Sequence, residues 1–229
     1  MSSVAGNMFG CVVVLAPHMD DDVIGMGGTI AYLSERGNEV YVVYLTDGGA
    51  NYSGVERKRY VETRKDEARR TSQILSVRDV YFLDYPDAKL HQYVEPATEK
   101  VIDIVLHRKA GIIYVPHANE YHIDHRAANE IAKIVAWKLA FLYGHTIHYI
   151  YEYEVWPPMN VFTDVINITN YIEIKRKALQ ILANGSQKYI DPEAILALNR
   201  YRAFWTIGGG YVEAFNAINI WGIRTLKRT

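Results

Sequence analysis

The chain has almost no cysteine, no excess of either charge and no long apolar run, and each lack narrows what it can be. Its 229 residues include one cysteine, Cys11, so an intrachain disulfide is excluded and a reducing, cytoplasmic setting is expected. Cys11 lies in an apolar run and reads as a small core residue. Lysine and arginine number 25 against 26 aspartates and glutamates. That balance leaves no electrostatic footprint for nucleic acid or an anionic membrane, and the expected partner is a small molecule. No apolar stretch reaches the roughly twenty residues of a membrane span. The opening Met1 to Phe9 carries no basic residue and does not read as a signal peptide. Internal repeats and low-complexity tracts are missing too. The length suits one large core and is compatible with a homo-oligomer.

What is present is alternation. Strand-like runs at Cys11 to Ala16, Val40 to Leu45, Val80 to Leu83 and Ile112 to Val115 alternate with helical patterns over about 23–36, 58–75, 96–108 and 124–142. This order predicts an α/β fold, a Rossmann-like and mostly parallel sheet with helices on both faces. After Gly144 the pattern changes. Strands are expected over 146–153 and 161–168, helices over about 171–182 and 192–204, and a last short element over 211–215, past Gly208-Gly209-Gly210. No polar linker sets this part off, so 1–229 reads as a single domain. Its C-terminal third, about 145–229, is then an added sheet edge or a lid.

Two clusters stand where strands end. Pro17-His18-Met19-Asp20-Asp21-Asp22 follows the first apolar run, and His122-Ile123-Asp124-His125 follows the run Gly111 to Val115. In parallel sheets ligands bind outside the carboxyl ends of the strands. One imidazole and three carboxylates crowded together repel one another unless a cation sits among them, and a divalent metal is the usual one. His18 is the first candidate ligand. Spacing leaves its aspartate partner open: Asp20 shares its side if the chain stays extended, Asp21 if the chain turns into a helix. Asp22 reads as a cap or first-turn acid of the next helix. His122 and His125 are three apart across a helix start and can point the same way, while Asp124 either caps that helix or holds a histidine in one tautomer.

Three rival readings use the same residues. Gly25, Gly27 and Gly28 invite a dinucleotide fingerprint, but Ile30 stands where the third glycine is required, and the carboxylates before them repel phosphate. His18-x-Asp20 with the distant His125 fits the facial triad of non-haem iron enzymes by residue type. The charged run Lys58 to Arg70 mixes signs at three- and four-residue spacing and reads as a solvated helix face.

Taken together, the motifs resemble the LmbE/PIG-L family of zinc-dependent deacetylases that act on N-acetylglucosaminyl compounds. The first cluster is similar to the family's Ala-His-Pro-Asp-Asp-Glu with its following glycines, and the second to its His-x-Asp-His. Weaker similarity runs through Thr46-Asp47-Gly48, Arg64 to Glu67, Phe82 to Asp87, Ser186-Gln187 and Tyr211 to Phe215. The resemblance implies zinc held by His18, Asp21 and His125, Asp20 as general base, and His122 as acid or electrostatic partner oriented by Asp124. It also implies that Arg64, Asp87 and Glu213 line the pocket of a small amino-sugar substrate. Met19 and Asp22 depart from the family's proline and glutamate without removing a ligand. Glu120 stands where some members carry an oxyanion-stabilising tyrosine, which leaves that role to zinc, His122 or another donor such as Tyr121.

Overall fold

The computed structural model describes residues 10–218, so Met1 to Phe9 lie outside it. Its first part alternates strictly: β1 (Cys11–Ala16), α1 (Asp21–Glu35), β2 (Glu39–Thr46), α2 (Gly54–Ile74), β3 (Asp79–Tyr85), α3 (Val94–Arg108), β4 (Ile112–Pro116), α4 (Ile123–Leu142) and β5 (Tyr149–Tyr153). Then come β6 (Asp164–Asn167), α5 (Ile172–Asn184), α6 (Pro192–Thr206) and β7 (Val212–Ile218). All seven strands join one sheet in the order β3-β2-β1-β4-β5-β7-β6. β1, β2, β3, β4 and β5 run parallel, and β7 and β6 continue the sheet antiparallel.

The apolar patterning explains the layers. β1 is Cys-Val-Val-Val-Leu-Ala and every residue is buried, as expected of a central strand covered on both faces. Val12, Val14 and Ala16 pack with side chains of α1, α2, α5 and α6, whereas Val13 and Leu15 pack with those of α3 and α4. Period-two alternation thus feeds two cores from one strand.

The C-terminal third divides between the two expectations for it. β5 pairs with β4 in parallel and belongs to the main sheet. The last element, expected to be short, is the seven-residue strand β7 between β5 and β6. This part therefore adds a sheet edge; of the two helices between β6 and β7, α5 packs on α1, and the segment between them carries Gln187 and Tyr189 to Arg64 and Asp20.

Candidate metal centre

β1 and β4 are neighbours in the sheet, yet their chains leave to opposite faces, β1 into α1 and β4 into α4. Such a switch point opens a crevice at the carboxyl ends, and both His/Asp clusters fall there. The chain turns directly after His18: the Asp21 N–H faces the His18 carbonyl at 3.4 Å, and α1 starts at Asp21. Asp20 is the helix N-cap position, and Asp21 and Asp22 occupy the first turn, where the positive end of the helix favours acids. This turn sets Asp21 3.3 Å from each of the two imidazoles and Asp20 against Arg64 and Tyr189.

The core of the site is a triangle. His18 Nδ1 lies 3.2 Å from His125 Nε2 and 3.3 Å from Asp21 Oδ2, and His125 Nε2 lies 3.3 Å from Asp21 Oδ1. Ligands about 2.0–2.1 Å from a tetrahedral ion are themselves about 3.3–3.4 Å apart, so the two imidazole nitrogens, and each of them with one of the two Asp21 oxygens, are spaced as neighbouring ligands of a zinc-like site. His18, Asp21 and His125 are all buried. Asp21 Oδ1 is buried without a hydrogen bond, which a cation at that face relieves. Each imidazole turns its second nitrogen to a carboxylate: His18 Nε2 to Asp87 Oδ1 at 3.0 Å, His125 Nδ1 to Glu120 Oε2 at 3.4 Å. Such outer carboxylates fix the tautomer and raise the basicity of a metal-ligating histidine.

Electrostatics follow from this crowding. Burial by itself lowers the pKa of His18, but Asp124, Asp21 and Asp87 outweigh it and hold the imidazole well above its ordinary value. His125 is likewise opposed by burial yet raised to about 9, chiefly by Asp21. Asp21 is held below the usual carboxylate range because His125 and His18 outweigh its burial. His122 moves the other way, lowered by burial and by the charges of His18 and His125. Burial pushes Asp22 up to about 7, even though Tyr44 donates to it.

The other expected site residues are distributed unevenly. Asp20 is next to the triangle, its Oδ2 accepting the Tyr189 hydroxyl at 2.6 Å and its Oδ1 lying 3.2 Å from Arg64 Nη2. His122 caps α4, its Nδ1 accepting the Asp124 N–H, and its ring meets His18 edge-on at 4.6 Å between centroids. Asp124 reaches the site differently from expectation. Its carboxylate does not orient His122; it accepts the N–H groups of Ala88 and Leu90, pins that loop, and lies 3.5 Å from His18 Nε2.

Arg64 is buried behind Asp20, bonded to Gln187 Oε1 and the Gly48 carbonyl. Asp87 is present, but its oxygens serve His18 and the Ala50 N–H. Glu213 is not brought to the cluster at all. It is buried, accepts the N–H groups of Gly28 and Thr29, and pairs with Lys175 at 2.6 Å. With both oxygens engaged beneath α1, it does not face a substrate, and the expectation for it is corrected.

Residues 13–136 match PIG-L, the GlcNAc-PI de-N-acetylase family. The chain belongs to this family. The family's deacetylases act on N-acetylglucosamine-type substrates, and this chain's His/Asp cluster could hold a divalent metal. The chain is 29% identical over 185 residues to the diacetylchitobiose deacetylase of Thermococcus kodakarensis, a match covering 74% of this chain and 67% of that one. The solved N,N'-diacetylchitobiose deacetylase of Pyrococcus horikoshii has a TM-score of 0.77 at 24% identity, over 98% of this chain and 90% of that one. The 4-carboxy-2-hydroxymuconate hydratase of Pseudomonas putida has 0.74 at 20%, over 96% and 99%. The structural likenesses speak for the fold, and that fold serves more than one reaction.

Relative to the PIG-L pattern, sequence reasoning passed over two groups. Glu120 registered only as a lost tyrosine, yet it accepts the N–H groups of Val155 and Trp156 and stands behind His125. Its place two residues before His122 was the available signal. Tyr189 lies 169 positions from the aspartate it touches, and no local pattern marks it. Tyr121, weighed as an oxyanion donor, is largely exposed.

Proposed function

We propose that this chain is a zinc-dependent N-deacetylase that removes the acetyl group from an N-acetylglucosaminyl-type amino sugar or conjugate. The observation that carries the reading is the convergence of His18 Nδ1, His125 Nε2 and the Asp21 carboxylate at distances of 3.2 and 3.3 Å, the spacing of neighbouring ligands on a tetrahedral ion. Two imidazoles and one carboxylate are a donor set that suits zinc and leaves a position open. A divalent ion held there supplies Lewis acidity, which acidifies water and polarises a carbonyl.

The chain's own groups do the proton work. Asp20 Oδ1 accepts no hydrogen bond, so a lone pair is free to take a proton from water as that water adds to the acetamide carbon. Arg64 Nη2 lies 3.2 Å from that oxygen, and the Tyr189 hydroxyl fixes the other. Because His122 Nδ1 accepts the Asp124 N–H, the proton of its neutral ring resides on Nε2. That N–H is a donor for the oxyanion that develops on the acyl oxygen. As the carbon–nitrogen bond breaks, the proton held by Asp20 passes to the leaving nitrogen, giving acetate and a free amine. Cys11, buried in β1, takes no part.

The test is acetate release from N-acetylglucosamine derivatives by metal-loaded protein, its loss with a chelator, and its return with zinc. Loaded, folded protein that releases no acetate from any of them overturns the reading. The similarity to a hydratase supports a second one, addition of water to a carbon–carbon double bond, which yields a hydrated product and no acetate.

A further inference from the structure

The helix that carries Asp21 is broken one turn after it. Met26, inside α1, has φ −146° and ψ 23°, outside the helical region. A break frees carbonyls on one side and N–H groups on the other, and buried backbone groups need partners. One buried ion pair supplies both. Lys175 Nζ, from α5, donates to the Ile24 carbonyl at 2.8 Å, ahead of the break. Glu213, from β7, accepts Gly28 N–H on Oε1 at 3.0 Å and Thr29 N–H on Oε2 at 2.7 Å, beyond it. The two are joined at 2.6 Å, and Asn199 of α6 accepts a third Lys175 proton at 3.0 Å.

The glycines that resembled a phosphate loop belong to the same joint. A Cβ on Gly25 would lie 2.3 Å from the Tyr153 ring and 2.5 Å from the Glu154 carbonyl, and one on Gly28 would lie 2.8 Å from Ile168. The first turn of α1 is thus a short separate piece, pressed on β5 on one side and tied to α5 and β7 by Lys175 and Glu213. Asp21 stands on that piece.

We propose that Lys175 and Glu213 are positioning residues for the metal: by filling the break in α1 they fix the direction in which its first turn presents Asp21 to His18 and His125. The inference rests on the metal reading above. It gives the glycine motif and the C-terminal Glu213 a common task, and it makes α5, α6 and β7 part of the metal centre without touching it.

The test must separate aim from mere folding. A single change, Lys175→Met or Glu213→Gln, leaves one charge buried alone and lowers thermal stability strongly. The double variant Lys175→Met/Glu213→Gln removes both charges and regains most of that stability. It does not regain the aim, because methionine cannot hold the Ile24 carbonyl and the glutamine amide can offer only one acceptor to two N–H groups. Cobalt(II) is the probe, its binding read by competition and its geometry by visible absorption.

Wild-type protein is expected to bind cobalt with a tetrahedral-type spectrum, and the double variant to bind about 10- to 100-fold more weakly with a shifted spectrum, the usual range for losing support around a ligand. Asn199→Ala, which removes one Lys175 acceptor and keeps the pair, is expected to give a shift of the same sign and smaller size. A double variant with wild-type affinity and spectrum overturns the proposal. Should that variant fail to fold, an unchanged Asn199→Ala protein overturns it instead. Failure of wild-type protein to bind cobalt sinks the metal reading itself, which distinguishes the two.

Discussion

Two buried ionic clusters lie at the two ends of the first turn of α1, and they are finished in opposite ways. At the far end, Glu213 accepts from Lys175 and two backbone N–H groups, and Lys175 donates in turn to Asn199; among the described residues no side-chain atom of these three is buried without a hydrogen bond. At the near end, Asp20 Oδ1, Asp21 Oδ1, Asp22 Oδ1, Glu120 Oε2 and His125 Nδ1 are all buried and unbonded. Both clusters hold cationic partners, Lys175 in one and Arg64 with the two histidines in the other, but only the first satisfies every buried oxygen. Buried carboxylates are costly unless compensated. The contrast teaches where structure stops and function begins: the closed cluster is scaffold, and the open one is built to receive a charge from outside.

The comparison breaks hardest at Asp21. Asp21→Ala cuts the triangle to two imidazoles, and the protein is expected to lose nearly all bound zinc on dialysis, measured by metal analysis of folded protein. Retention of one zinc per chain would place the metal elsewhere. Asp20→Asn is expected to keep the metal and lower kcat by about 10²- to 10⁴-fold, the usual worth of a general base, because the amide holds the shape but takes no proton. If Asp20→Asn strips the metal while Asp21→Ala retains it, His18 and Asp20 are the ligands and the facial-triad arrangement returns.

Smaller effects sharpen the same contrast. Glu120→Gln removes the charge behind His125 and is expected to weaken zinc binding by about 10- to 100-fold, with folding intact. An unchanged affinity would make Glu120 a loop anchor through Val155 and Trp156 alone. The pH dependence of zinc affinity is the mildest probe. Burial opposes protonation of His125, but Asp21 raises its pKa to about 9, so below that pH a metal must displace a proton to bind there. Affinity is therefore expected to rise by about tenfold per pH unit between pH 6 and 8, with His18, whose pKa is also raised, steepening the slope. A flat profile would mean that the carboxylates do not hold those protons.

Much of the fold was legible because its signals are local. The parallel alternation, the strand ends at Ala16 and, to within one residue, at Val115, and the helix after His122 follow from period and capping, and both His/Asp clusters were visible as residue types crowded where strands stop. The choice of Asp21 over Asp20 was not legible, since extended and helical continuations past His18 both satisfy the spacing.

Glu213 shows the limit most clearly. Its sequence neighbourhood resembled a site motif, and only the sheet order, which sets β7 beside β5, delivers its carboxylate beneath α1. By itself the sequence determined which chemistry the chain carries: two histidine and aspartate clusters at strand ends, with a single cysteine inside a strand and no charge bias to support another. The tertiary structure alone decided which of those groups lie against one another, which stand behind them, and which carboxylate is matched by an internal lysine. Residue type and spacing act over a few positions of chain, whereas pairing a charge depends on groups such as Lys175 and Glu213, or Asp20 and Tyr189, that meet only after the sheet has assembled.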